Sequence, residues 1–359
     1  MIRLSRISDG VPSDDAQWND LAGMLSRFAA RETTLSARAV VDRMAGDAAW
    51  PRLGGHERMA VAASAVMCSC FGVGSPMGRR GWHPSARADR SGRMSRIAMW
   101  DGLLGGHSDE VDLVSSLVSM VELPMSDFAS QHDVVVASLR TQRLSTLALL
   151  SRHVYGSSSA RFEDACEASG CLDSPASFPD PDARLSYCRD RSANFPCQPG
   201  RDLSSAPTMV VMCGLPSSGK TRWVEKNMGH MPVVDYDEEA SALGDLSWRN
   251  PATKAAVAEE CEDMGTDLVS HGRSFCVEWI NLGRDDRRKW VDMAVAAGMS
   301  TRIVYVDTDI EIMVRRGRRT MIPHIDKPMT VRGLRHYYRA LDAPDLSECH
   351  ELVRVGARH

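Results

Sequence analysis

Nothing in this chain of 359 residues approaches the run of about 20 apolar residues that a membrane-crossing helix needs. The opening residues Met1 Ile2 Arg3 Leu4 Ser5 turn polar by Asp9 and lack the apolar centre of a secretion signal, so a cytoplasmic protein with no membrane partner is expected. Cys-x-x-Cys spacing is also lacking. Among ten cysteines the closest pairs are Cys68/Cys70 and Cys166/Cys171, which argues against a zinc site and for reduced, mostly buried thiols. There is no large excess of one charge: a net charge of −4 excludes a globally basic coat for nucleic acid and leaves room only for a local basic patch. No internal repeat is found. With 43% hydrophobic and 25% charged residues the composition is that of an ordinary folded chain. Its length calls for two domains, because single cores stop growing near about 250 to 300 residues.

What is present is concentrated in residues 214–221, which read GLPSSGKT. They follow the β-like run Met209 Val210 Val211 Met212 Cys213 and precede a helix-compatible stretch, 222–228. Strand, glycine-rich turn and helix in that order are the context that the pattern G-x-x-x-x-G-K-[ST] requires. Gly214 and Gly219 allow dihedrals closed to other residues, so the backbone N–H groups around Ser217 and Ser218 can converge on phosphate oxygens. The helix start adds its partial positive charge. Lys220 is expected to reach the outer phosphates and Thr221 to hold Mg²⁺, making ATP with Mg²⁺ the expected ligand.

Apolar periodicity in the first half is helical, at 14–28, 60–67, 94–104, 111–121 and 139–153, with a glycine-rich connection at 72–81. Residues 170–206, rich in Pro, Ser and Asp, read as a linker of extended turns. From 207 to 359 strands and helices alternate. Strands are expected at 208–213, 232–236, 275–279, 301–307 and 351–355, and helices at 251–270, 285–297, 310–319 and 330–341. That alternation implies a five-stranded parallel sheet covered by helices, with ligands at the carboxyl ends of the strands.

Chemistry-bearing residues cluster at those ends. The second strand runs into Asp235 and Asp237, where a carboxylate can take the proton of an attacking hydroxyl or orient Mg²⁺; both also stand where acidic residues cap a helix. The third ends at Asn281, followed by Arg284 to Arg288, suited to holding phosphates of an acceptor or the γ-phosphate. Arg315 Arg316 Gly317 Arg318 Arg319 places four arginines in five residues, more than a helix end needs and apt for a lid over ATP.

With these motifs the sequence resembles the polynucleotide 5′-kinases, in particular bacterial nucleic-acid repair proteins that join an HD-type phosphohydrolase domain to a P-loop kinase domain. The resemblance covers 210–350 and rests on GLPSSGKT, PVVDYDE, the strand end WINL with Arg287 beyond it, VYVDTDIEIMVRRGRR and APDLSECHE. It implies phosphorylation of 5′-hydroxyl ends of RNA or DNA, with Asp237 as general base and Arg315 and Arg319 on the transferring phosphate. Asp235, Asn281 and Arg287 are the expected acceptor-side contacts. Two departures bear on the acceptor: Ala240 stands where the family usually has an arginine, and Ile280 where it usually has threonine.

For residues 1–169 the resemblance implies an all-α, HD-like domain. Cys68 and Ser69 stand where the family's His-Asp pair is expected, and His153 near its distal aspartate, while His83 keeps its ligand type; a metal-free scaffold is therefore expected. A relocated dyad, His132 Asp133, is the rival. Two other functions stay open: a kinase of a small-molecule acceptor, and a non-catalytic ATP-binding interaction protein.

Overall fold

The computed structural model describes residues 12, 14–26, 28–72, 86–99, 108–127, 129–141, 143–243, 250–319 and 330–357. The chain divides into two compact units, one of Met1–Phe178 and Asp190–Cys197, the other of Pro179–Arg189 and Gln198–His359.

The described part of the first unit is helical: α1 (Asp15–Leu25), α2 (Arg31–Ala45), α3 (Gly55–Phe71), α4 (Ala86–Ala98), α5 (Ser108–Met120), α6 (Gln131–Arg140), α7 (Leu144–Tyr155) and α8 (Ala160–Ala168). In α3 the consecutive residues Ala60, Val61 and Ala62, and then Ser64 to Cys68, are all buried. A helix apolar all round belongs in the middle, and α3 packs against α2, α5 and α7. The single helix expected at 139–153 is two. Thr141 ends α6 in an extended conformation (φ −123°, ψ 150°) and Arg143 opens α7 likewise, so the backbone breaks between them. The expected connection at 72–81 lies outside the described residues beyond Gly72.

Part of the expected linker is folded. Pro181 and Asp180 start α9 (Pro181–Arg189), the Asp180 carboxylate accepting from the Ala183 N–H at 2.8 Å. In the second unit, Arg184 of α9 donates to the carbonyls of Leu346, Cys349 and His350 at 3.0, 3.2 and 2.6 Å. Asp182 holds Arg201 at 3.1 Å and faces His350 Nε2 at 3.3 Å.

The rest of that unit is β1 (Thr208–Cys213), α10 (Lys220–Met228), β2 (Val233–Asp235), α11 (Tyr236–Ala242), α12 (Pro251–Ser270), β3 (Phe275–Glu278), α13 (Arg284–Ala296), β4 (Ser300–Thr308), α14 (Ile310–Arg319), α15 (Val331–Ala340) and β5 (Glu351–Ala357). All five strands are parallel, in the order β2-β3-β1-β4-β5. Strands buried on both faces read as continuous apolar runs, and Met209 to Cys213 are all fully buried. On one face Val210, Met212, Cys276, Val304 and Val306 pack with Val224 and Met228 of α10. Cys68, Cys166, Cys171, Cys213, Cys261, Cys276 and Cys349 are buried. Among the described residues no helix is long and apolar enough to cross a membrane.

Candidate nucleotide and acceptor site

Because β1 is central, its carboxyl end opens between neighbours on both sides, and the turn that follows it is the expected glycine-rich loop. Ser217 (φ 64°) and Gly219 (φ 104°) both occupy the left-handed region. A serine held there stores backbone strain, which is characteristic of ligand-binding turns. A Cβ on Gly214 would lie 2.7 Å from the Val306 carbonyl oxygen, so only glycine lets the loop pass the end of β4. The loop is braced by the Gly214 N–H to the Ile280 carbonyl at 3.0 Å, and by Thr308 Oγ1 and Arg316 Nη1 to the Ser218 carbonyl at 2.8 and 2.7 Å. The Ser218 hydroxyl is buried with no hydrogen-bond partner. A buried polar group without a partner is costly and points to a ligand that supplies one. The Lys220 ammonium is buried and donates to the carbonyls of Gly214 and Leu215, each at 3.1 Å. Burial lowers its pKa; the charges of Glu278, Cys213, Asp237 and Asp235 act the other way.

Those charges locate the acidic side of the site. Asp235 of β2 is in register with Glu278 of β3, so two adjacent strands end in carboxylates beside the loop. Glu278 closes the strand expected at 275–279 and is the buried acid of the pair. It is buried, accepts from Thr221 Oγ1 at 2.5 Å, and burial pushes its pKa up to about 7, with Asp235 adding to the rise and the Thr221 bond and Lys220 opposing it. A lone carboxylate closing an apolar strand next to the loop strand was the available signal. Asp235 caps α11, accepting from the N–H groups of Asp237 at 2.8 Å and Glu238 at 3.3 Å. Asp237 lies in the first turn of α11 and is exposed.

Two expected acceptor contacts are instead part of the frame. Asn281, 1% exposed, donates from Nδ2 to the Met212 carbonyl at 2.8 Å and so ties the end of β3 to β1. Arg287 is fully buried, forked onto Glu348 at 2.9 and 3.0 Å, and donates from Nη1 to the carbonyls of Asn281 and Leu282 at 3.0 Å each. In the arginine cluster, Arg316 touches the loop while Arg315 is exposed; the side chain of Arg319 lies outside the described residues. Ala240 is 1% exposed, on the packed side of α11.

In the first unit several of the metal candidates are engaged in packing, capping or ion pairs. Asp133 forms a capping box with Ser130, accepting from its N–H at 2.9 Å and its hydroxyl at 2.8 Å, and takes Arg191 at 2.6 Å. His153 bonds Asp47 at 3.0 Å, and the Ser69 hydroxyl donates to the Ala65 carbonyl at 3.0 Å. Burial raises the Cys68 pKa far above its usual value. His83 lies outside the described residues. Among the described residues no group of three or more His, Cys, Asp or Glu could hold a metal ion.

The profile of a family described as "AAA domain" matches residues 209–321, from β1 through α14. It spans the loop, both acidic strand ends and the arginine helix. No curated protein matches the chain. A solved structure provisionally described as a kinase, from Chloroflexus aurantiacus J-10-fl, is similar with a TM-score of 0.36 and 16% identity over 43% of this chain and 86% of that one. The sheet order, the loop and the profile match make the second unit a P-loop α/β domain.

Proposed function

We propose that this chain is an ATP-dependent P-loop kinase whose acceptor is the 5′-hydroxyl end of RNA or DNA. The observation that carries the reading is the difference in environment between two carboxylates near Lys220. Glu278 is buried and bonded to Thr221, while Asp237 is exposed at the mouth. Two carboxylates in different environments take different roles. Thr221 and Glu278 would hold Mg²⁺, which when bound neutralises phosphate charge. Asp237 then takes the proton of the incoming hydroxyl. Lys220, released from its two carbonyls, meets phosphate oxygens together with the loop N–H groups, and the Ser218 hydroxyl gains the partner it lacks. Arg316, with Arg315 and Arg319 on the same helix, balances charge as the phosphoryl group moves.

The acceptor class is supported by the resemblance of 210–350 to polynucleotide 5′-kinases. The same resemblance supports reading the helical unit as an HD-derived scaffold without a metal, since Cys68, Ser69 and Asp133 are bound up in packing and capping. Ala240 favours a second reading, a small-molecule acceptor, because the family's usual arginine is missing there. Kinetics at increasing salt distinguish the two: KM for an oligonucleotide rises steeply, KM for a small acceptor much less. Flat salt dependence of transfer to an oligonucleotide contradicts the polynucleotide reading.

A further inference from the structure

Charge in this chain is segregated. Residues 310–341 hold eight lysines and arginines against two acids, in a chain whose acids outnumber its lysines and arginines by four. Helix α15 contains no acid at all. In it Arg332, His336 and Arg339 stand four and then three residues apart, so they share one face. All three are exposed, while Leu334 and Tyr338 on the opposite face are buried. Among the described residues neither Arg332 nor Arg339 makes a hydrogen bond or an ion pair. Arginines on other elements of this unit do reach carboxylates: Arg302 meets Glu351 and Arg354 meets Asp307, each at 2.7 Å.

Helix stability does not account for this stripe. Cations at such spacings repel one another, and Arg332 sits in the first turn, where the macrodipole disfavours positive charge. Position does account for it. Two residues past the end of α15 the Asp342 N–H donates to the Leu282 carbonyl at 2.9 Å, which fixes the helix beside the carboxyl end of β3. Burial, and with it the charge of Asp237, raises the pKa of the Tyr337 phenol, so a flank of the same helix borders the exposed Asp237.

Resting on the kinase reading above, we propose that the outer face of α15 is the track for the acceptor strand, Arg332 and Arg339 pairing with backbone phosphates of a single strand whose 5′-hydroxyl lies at Asp237. Seven residues separate the two arginines, about 10 Å along the helix. An acceptor must therefore carry negative charge along its length to engage both. Such contacts position a strand without reading its bases, and they supply acceptor binding that Ala240 does not.

The test uses the full chain, γ-labelled ATP, and two 5′-hydroxyl single strands of one sequence, one with phosphodiester and one with uncharged methylphosphonate linkages. On the charged strand, Arg332→Gln combined with Arg339→Gln raises KM and lowers the slope of log KM against log salt by about 1.4, at about 0.7 for each lost contact. Arg332→Lys combined with Arg339→Lys keeps the wild-type slope. KM for ATP is unchanged in both variants, and on the neutral strand wild type and the glutamine variant behave alike. An unchanged slope in the glutamine variant, equal losses on both strands, or a raised KM for ATP overturns the track while leaving the kinase reading in place. Absence of transfer by wild type to the charged strand refutes the polynucleotide reading and this inference with it.

Discussion

The Thr221 hydroxyl donates to Glu278 Oε1 at 2.5 Å, bridging the helix after the glycine-rich loop to the end of β3. Burial raises the Glu278 pKa from 4.5 to about 7. A folded pKa above the unfolded value means that the protonated form contributes stability that is complete below about pH 4.5 and is lost as pH rises through about 7. Glu278→Gln, which stays neutral and can still accept from Thr221, is expected to be more stable than wild type at pH 8, by on the order of 2 kcal/mol, and close to it at pH 4. Thermal melts without nucleotide at the two pH values measure this. A uniform loss of stability at both would contradict it.

Arg287 and Glu348 form a second buried relationship whose disruption is expected to be costly. Arg287→Met removes the forked partner of the buried Glu348 carboxylate and leaves it only Arg284 Nη2 at 3.4 Å and the Asp345 N–H at 3.2 Å, a loss of about 3 kcal/mol. Arg287→Met combined with Glu348→Leu recovers part of it. Urea unfolding read by circular dichroism checks both variants.

Gly265 marks a close helix contact. A Cβ there would lie 2.5 Å from Trp290 Cζ3, and Trp290 is fully buried. Gly265→Ala is therefore expected to destabilise by about 1–3 kcal/mol although alanine is the better helix former. A stabilised variant would mean that the indole can move aside.

Arg184 tests whether the helix within 170–206 is integral to the P-loop unit. Arg184→Met removes donors from three carbonyls and is expected to cost about 1–3 kcal/mol. The readout is hydrogen exchange at β5, which should quicken in the variant. Unchanged exchange there would make α9 a surface attachment.

Much of the P-loop unit was legible because its signals are local. Apolar runs ending in glycine or aspartate mark parallel strands, and GLPSSGKT fixes its own backbone through Gly214, Ser217 and Gly219. Roles that depend on distant partners were not legible. Arg287 and Asn281 are polar residues just past a strand, the pattern of a ligand contact, yet the partner of Arg287 is Glu348, 61 residues further on. Glu278 is masked for the opposite reason, as a carboxylate inside an apolar run. In the arginine cluster, composition announces a basic helix end, but only helical phase decides that Arg316 reaches the loop while Arg315 is exposed. Around 139–153 the apolar periodicity passes through Thr141 and Arg143, where extended backbone interrupts it.

Asp237 is the residue on which the functional account turns. The most direct test is transfer of label from γ-labelled ATP to a 5′-hydroxyl single strand by wild type and Asp237→Asn, with ATP affinity measured alongside. The account predicts transfer by wild type, a fall of about a hundredfold or more in the variant, and ATP binding preserved in both. Equal transfer by the two proteins, or ATP binding by wild type with no transfer, would contradict it.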